Sequence, residues 1–485
     1  MKERLMVQRL KDFINNNSDY QIALLAGIRR TGKTTILKQL QGYYPDAVYI
    51  DLSKSDDGYL EIEEKYINNP SSLLLLDEIS CLSDYEMISE SLYNSCGRQT
   101  KIIMTGSSPA HVIKLAGSKL GAGRSKLFRL PLLTFVEYLY FIGKIESYSD
   151  YSAIQNADFS DYLRLKGLES SDARELAVMF NDEYFDSFYR DNSVSNTNTR
   201  VIYSKIQLKS GDLEDLLNLI AYKLSESCSY QAIIRPVAGG QERINLKGSG
   251  VNVKWGKIDL SDAIISVSSN NIVNVNTERK GRILRYLLDS GLAYITYKLI
   301  SPSSSIEDQI DVGAVLNILS SCTKESELIN LFSKLSINII SPLFYTRIGA
   351  DILNRAGVSL DFLCTGMLLG KMLEMYLYSS ILSWYGSMIL VGRKLDYYSG
   401  DGDAIGEVDI YDKKNFILLE ASTHNKKANE IHISNYFKAG NYIRVCSSKD
   451  KDTYNGQYHQ IPYAKLCCMA DTGDIFKLNR TAIAG

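Results

Sequence analysis

The residues best equipped for chemistry lie close to the start of the chain. Gly27-Ile28-Arg29-Arg30-Thr31-Gly32-Lys33-Thr34 fills every fixed position of the pattern G-x-x-x-x-G-K-[ST]. Gly27 and Gly32 let the backbone curl until successive N–H groups face a single anion. A helix opening at Lys33 would add its own unpaired N–H groups and about half a positive charge. Lys33 has the reach and charge to meet β- and γ-phosphates, and the Thr34 hydroxyl suits a magnesium ion. Arg30, Thr31 and Thr35 complete the expected contacts of the loop with ATP.

Two further segments supply what hydrolysis would need. In SSLLLLDEIS, a run of four leucines ends at Asp77, whose carboxylate is expected to support Mg²⁺ mostly through water. Glu78 follows, placed to act as general base on an attacking water. In KIIMTGSS, Thr105, Ser107 and Ser108 end another apolar run, and Ser107 is expected among the nucleotide contacts. A plain Gly-Ser turn is the competing reading there. Between Lys101 and Arg129 stand six Lys or Arg residues and no acid. Arg124 is the candidate to stabilise charge on the γ-phosphate, in cis or from a neighbouring subunit. Contact with a DNA backbone and a solvated basic face are the alternatives for this stretch.

These groups must be held by an α/β framework. Apolar spacing at Leu5, Val7, Leu10, Phe13 and Ile14 predicts an amphipathic helix within residues 1–20. QIALLAG, DAVYIDLS, SSLLLLDEIS and TKIIMTGSS predict strands, with helices from Lys33 and over Tyr85–Asn94. Strands apolar on both faces and alternating with helices imply a parallel sheet covered on both sides. LPLLTFVEYLYF is expected to close this first domain near residue 142. Beyond it, a polar segment leads to a helix over 213–226 with Asp212 as its N-cap, then a Gly-rich stretch. ERKGRILRYLLDSGLAYITYKL reads as helix, turn at Gly291 and strand, a winged-helix-like pattern. GKMLEMYLYSSILSW predicts a long helix, followed by strands in SMILVGRKLDYY, GEVDIYD, NFILLEAS and NYIRVCSS.

Composition narrows the field. Hydrophobic residues at 45% and charged residues at 23% over 485 residues describe a globular chain of two or three domains. A net charge of −2 supplies no overall basic field for nucleic acid. The eight cysteines show no C-x-x-C spacing and the four histidines no i, i+4 pair, which argues against zinc and for buried thiols in a cytoplasmic protein. Met375–Gly392 carries no charge over 18 residues, but its serines, tyrosines and glycines suit a buried helix and strand better than a membrane span.

GIRRTGKTT, LLLLDEI, IIMTGSS and GAGRSKLFRLPLLTFVEYL together resemble a group of bacterial and archaeal AAA+-type ATPases with a restriction-endonuclease-like C-terminal domain. Gly123, Arg124, Pro131, Leu132, Thr134, Phe135, Glu137 and Tyr138 fit the most distinctive block. At the other end, Glu374, Glu407-Val408-Asp409 and Glu420 resemble the nuclease pattern. Active enzymes of that fold carry E-x-K, and here Ser422 stands at the lysine position, with Lys426 and Lys427 farther on. The resemblance implies an AAA+-like P-loop domain at 1–142, a helical and winged-helix-like middle at 143–335, and an α/β nuclease-like domain at 336–485. It implies ATP and Mg²⁺ as ligands and a nuclease-like C-terminal fold without nuclease chemistry. Alternatives are an ATP-dependent nuclease or DNA-remodelling factor, using the winged-helix-like region or residues 101–129, and a nucleotide-controlled switch. A protein client and a homo-oligomer are the remaining expected partners.

Overall fold

A computed structural model describes residues 2–16, 20–27, 31–55, 57–68, 70–82, 85–96, 100–106, 112, 115, 124–168, 281, 293–297, 312–339, 342–343, 366–384, 392–398, 404–412, 417–421, 441–446, 453–454 and 458–477. The first strands are β1 (Ile22–Gly27), β2 (Val48–Asp51), β3 (Leu73–Asp77), β4 (Lys101–Gly106) and β5 (Ser125–Leu130). They form one parallel sheet in the order β2-β3-β4-β1-β5. Helices α1 (Leu5–Asn15), α2 (Lys33–Tyr43), α3 (Gly58–Ile62) and α4 (Tyr85–Ser95) accompany it.

Alternation along each strand feeds two cores. Ala23, Leu25, Leu73, Leu75 and Ile103 pack against Met6, Val7, Leu10 and Phe13 of α1 and Ile36, Leu37 and Leu40 of α2. Ile22, Leu24, Leu74, Leu76, Ile102 and Met104 pack on the opposite face with Ile62, Tyr66, Ile88 and Leu92. Each such buried aliphatic side chain contributes about 1.5–3 kcal/mol. Apolar burial on both faces is why these strands read as unbroken apolar runs rather than as alternating ones.

Helix α5 (Phe135–Phe141) follows β5, and α6 (Asn156–Leu163) comes next. Thr134 and Glu137 form a capping box on α5, each side chain bonding the other's backbone N–H. The Glu137 carboxylate also accepts from Leu5 N–H at 3.0 Å and from Arg4, at 3.0 Å from Nε and 2.6 Å from Nη2. Helix α1 has no side-chain cap of its own, so Glu137 caps it from the far end of the domain. The two charged side chains are only 6% and 2% exposed.

Farther along lie β6 (Ala293–Tyr297), α7 (Val312–Ser321), α8 (Glu325–Lys334) and β7 (Leu335–Ile339), with β6 and β7 paired antiparallel. Helix α9 (Gly366–Leu382) is buried from Met372 to Tyr378, Glu374 included, and its part of the uncharged Met375–Gly392 segment is the buried helix expected there. A second sheet holds β8 (Gly392–Tyr398), β9 (Ala404–Asp412), β10 (Ile417–Glu420), β11 (Asn441–Cys446), β12 (Thr453–Tyr454) and β13 (Tyr458–Pro462), in the order β12-β13-β11-β10-β9-β8. Helix α10 (Tyr463–Thr472) closes the described chain with a short 3₁₀ turn. The expected helix over 213–226 and the Gly-rich stretch lie outside the described residues. Among the described residues, no helix is long and apolar enough to cross a membrane.

Helices α9 and α10 meet the first domain at the start of α5. Asp471 accepts from Val136 N–H at 3.0 Å, from the Ser380 hydroxyl at 2.6 Å and from the Tyr376 hydroxyl at 2.7 Å. Tyr376 in turn accepts from Phe135 N–H. Two of the orphan donors of α5 are therefore satisfied by residues more than two hundred positions away. Around them, Phe135, Phe159, Tyr162 and Tyr376 stack edge to face at 5.3–5.5 Å.

Glu137→Ala leaves the Arg4 cation buried without its carboxylate and should cost about 3–5 kcal/mol, read from denaturant unfolding. Burial pushes the Asp471 carboxyl up to about 7, against the hydrogen bonds from Ser380 and Tyr376, with the Glu137 charge pushing the same way as burial. A raised carboxyl favours the fold fully below its ordinary value near ~4, and that contribution is lost as pH rises through about 7. Asp471→Asn cannot ionise, so its stability, measured in urea from pH 4 to 8, should fall less across this window than that of the parent chain.

Candidate functional site

The carboxyl ends of β1, β3 and β4 converge on the turn between Gly27 and Lys33. Gly27 is a close-approach position: a Cβ there would lie 2.9 Å from Leu130 Cβ and 3.1 Å from the Thr31 hydroxyl. Gly32 sits at φ +87°, a left-handed conformation that glycine adopts without strain, and its carbonyl accepts the first helical bond from Ile36 N–H. Helix α2 starts at Lys33, as expected. The Lys33 ammonium donates to the Gly27 carbonyl at 2.9 Å, spanning the loop it belongs to. Thr31 is buried, and its carbonyl accepts from Arg4 Nη1 at 2.8 Å. Thr34 and Thr35 occupy the first turn of α2, half-buried. Arg30 lies outside the described residues.

Beside the loop, Asp77 ends β3 with 1% of its surface exposed. The Thr105 hydroxyl donates to its Oδ1 at 2.5 Å, and the Tyr49 hydroxyl donates to its Oδ2 at 3.0 Å. Thr105 also accepts from Glu78 N–H at 3.3 Å, so one hydroxyl ties both acids. Glu78 is half-buried and holds φ +61°, ψ 44°, a left-handed conformation that costs a non-glycine residue about 1–2 kcal/mol. Strain of this kind persists where surrounding structure fixes it and gathers at functional sites. Asp51, level with Asp77 on β2, is engaged instead by Lys54 at 2.8 Å and by Ser53.

The structure brings Gly27, Thr31, Gly32, Lys33, Thr34, Asp77, Glu78 and Thr105 to one sheet edge. Ser107 and Ser108 lie outside the described residues. Arg124 is not brought there. It precedes β5, its carbonyl accepts from Gln21 and Ile22 N–H, and its guanidinium lies 4.6 Å from the Tyr93 ring centroid. Ile22 pairs with Ser125 and Gly27 with Leu130, so Arg124 occupies the opposite end of the strands. Six residues at ~3.3 Å each separate it from the loop by roughly 20 Å, beyond the span of an arginine side chain. The expectation of an arginine acting in cis is therefore corrected: within one chain Arg124 cannot meet a phosphate at Lys33.

The basic stretch is likewise absorbed into the fold where it is described. Lys101 donates to the Tyr20 carbonyl, the exposed Lys126 lies 5.2 Å from the Phe128 ring, and Arg129 is half-buried, with desolvation lowering its pKa to about 10. Sequence reasoning missed β5 because SKLFRL carries two cations, Lys126 and Arg129, and was read as part of that charged stretch. It also missed Tyr49 and Arg4. For Tyr49 a signal existed: two residues before Asp51 on a strand level with β3, it shares Asp77's side of the sheet. Arg4 offered none beyond a charge at the start of an apolar helix.

Residues 19–139 match the family model of the AAA domain. Over 272 residues the chain is 27% identical to the uncharacterized protein MJ1637 of Methanocaldococcus jannaschii, covering 47% of this chain and 54% of that protein. The chain thus spans about half the length of the curated relative it matches. Among solved structures, the ORC2 protein of Aeropyrum pernix, in ADPNP–ADP complexes, is 12% identical over 68% of this chain and 93% of that one, with a TM-score of 0.28. A DNA polymerase III gamma subunit-related protein of Thermotoga maritima is 13% identical over 67% and 97%, with a TM-score of 0.22. Likenesses at these TM-scores carry no functional argument.

If Glu78 stores backbone strain, Glu78→Asn, whose side chain tolerates the left-handed region, should raise stability by about 0.5–1 kcal/mol. Thermal unfolding of the two chains side by side checks this.

Proposed function

From the match of residues 19–139 to the AAA domain model, we propose that this chain binds ATP with Mg²⁺ and hydrolyses it at the edge formed by β1, β3 and β4. The observation that carries the reading is the Thr105 hydroxyl bonded to both Asp77 and Glu78 beside the Lys33 loop. In this reading the loop N–H groups and Lys33 bind the β- and γ-phosphates, with Arg30, Thr31, Thr35 and Ser107 completing the nucleotide contacts. To reach a phosphate, the Lys33 ammonium exchanges its bond to the Gly27 carbonyl for a charge-assisted one.

The donor set fits magnesium. A hydroxyl at Thr34 and a buried carboxylate already accepting two hydrogen bonds suit a cation that keeps most of its waters. When bound, Mg²⁺ would neutralise charge on the phosphate oxygens. Glu78, half-buried and turned from the helical region by its left-handed backbone, takes the proton of the attacking water.

The C-terminal part is proposed to be nuclease-like in fold and without nuclease chemistry. Support for the fold is the antiparallel meander β8-β9-β10 with β11 laid parallel on β10, after helix α9. Asp409 and Glu420 follow one step beyond the Ile410–Leu419 pair, at matching positions on β9 and β10. Serine at 422 in place of the lysine argues against cleavage. A DNA-binding role is the second reading, favoured by the order β6-α7-α8-β7, strand, two helices and an antiparallel strand, which suits a winged helix. The acids Glu325 and Glu327 on α8 weigh against phosphate contacts there.

Lys33→Ala should abolish binding of an ATP analogue with Mg²⁺, measured by calorimetry on the full chain. Glu78→Gln should keep that binding and lower turnover by about 10²–10⁴-fold. Normal turnover in Glu78→Gln would remove the base assignment, and absence of analogue binding by the parent chain at every protein concentration would remove the reading itself.

A further inference from the structure

We propose that Tyr49 is a positioning residue for the metal-supporting carboxylate, its hydroxyl fixing Asp77 in the orientation that a hydrated magnesium ion meets. The inference rests on the ATPase reading above. Tyr49 lies on β2, one strand outside the β1-β3-β4 edge, and its half-buried ring packs on the core formed with α1 and α2. Phenylalanine would fill the same space. What the hydroxyl adds is one hydrogen bond, 3.0 Å to Asp77 Oδ2.

That bond matters because of what surrounds the carboxylate. Rotation about the last torsion of an aspartate is broad, so packing alone does not set its plane. Thr105 holds Oδ1 and Tyr49 holds Oδ2, from β4 and β2 on either side of β3. The two donors define the plane between them and leave the remaining lone pairs of each oxygen for water. Asp77 is also almost wholly buried, and hydrogen bonds from neutral donors stabilise its charge where solvent does not. The phenol remains a donor: burial, reinforced by the charges of Asp77, Asp51 and Glu78, raises its pKa well above the ordinary value. Asp51 is not an alternative partner, since Lys54 and Ser53 engage it.

The test uses the full chain and a non-hydrolysable ATP analogue, with analogue binding followed as Mg²⁺ is titrated from a chelated zero. Tyr49→Phe should bind the analogue without Mg²⁺ as the parent does, and should need about five- to tenfold more Mg²⁺ for half-maximal enhancement, the net effect of one ordinary hydrogen bond. In an Asp77→Asn background the same substitution should leave the Mg²⁺ titration unmoved, because the group through which Tyr49 acts no longer carries charge. Coincident titrations of Tyr49→Phe and parent, tighter Mg²⁺ dependence in the variant, or an equal loss of Mg²⁺-free binding would each overturn the proposal. So would a shift that persists in Asp77→Asn. If the parent chain itself binds no analogue, the ATPase reading fails instead, and the two failures are told apart in the first titration.

Discussion

The buried pair of Arg4 and Glu137 is the constraint on which the first domain's geometry rests. Arg4 gives its guanidinium donors to Glu137, to the Thr31 carbonyl in the phosphate loop and to the Pro131 and Leu132 carbonyls after β5. Glu137 accepts from Arg4, Leu5 and Thr134 together. A buried ion pair gives little net stability against apolar packing, because desolvation offsets much of the attraction. Its effect here is on geometry. Planar donors and a bidentate carboxylate accept few arrangements, so the loop, the first helix and the β5–α5 corner are fixed relative to each other.

This accounts for the block Pro131–Tyr138, which stood out in the sequence only as a family resemblance. Thr134 and Glu137 form the capping box that starts α5. The sequence could not show that Glu137 also serves another helix and the phosphate loop. The bonds from Arg4 and Leu5 to Glu137 join residues 133 and 132 positions apart, and no local period or spacing encodes them. Phe135 and Val136 N–H are similarly taken by Tyr376 and Asp471, partners that only the folded chain brings near.

What was legible followed from local rules. Gly27, Gly32 and Lys33 must sit between a buried strand and a helix for their pattern to work, and β1 and α2 take those places. The four leucines before Asp77 needed two covered faces, hence a central strand. Charge misled where it was counted without position. Lys101, Arg124, Lys126 and Arg129 counted as one basic stretch, yet Lys101 meets a carbonyl and Arg124 and Lys126 lie near aromatic rings, at the end of the sheet far from the loop or along β5. On a strand, successive cations face opposite sides, so Lys126 is exposed while Arg129 is half-buried.

In the proposed reading, the acids at the loop divide their roles along a difference in backbone conformation. Asp77, the last residue of a regular strand, is held by hydroxyls from both neighbouring strands. Glu78, one residue later, leaves the strand through a left-handed turn, and only its N–H is tied to the same Thr105. Thr105 therefore fixes the carboxylate of one acid and the backbone of the other. A fixed carboxylate suits steady support of a hydrated cation, which demands near-ideal geometry. A base must exchange protons with a substrate water, for which a half-buried side chain on a strained turn retains the access that Asp77 lacks. Adjacent carboxylates thus differ in burial and in hydrogen bonding because the chain turns between them, and in the proposed reading the cost of that turn falls on the residue that would face the substrate.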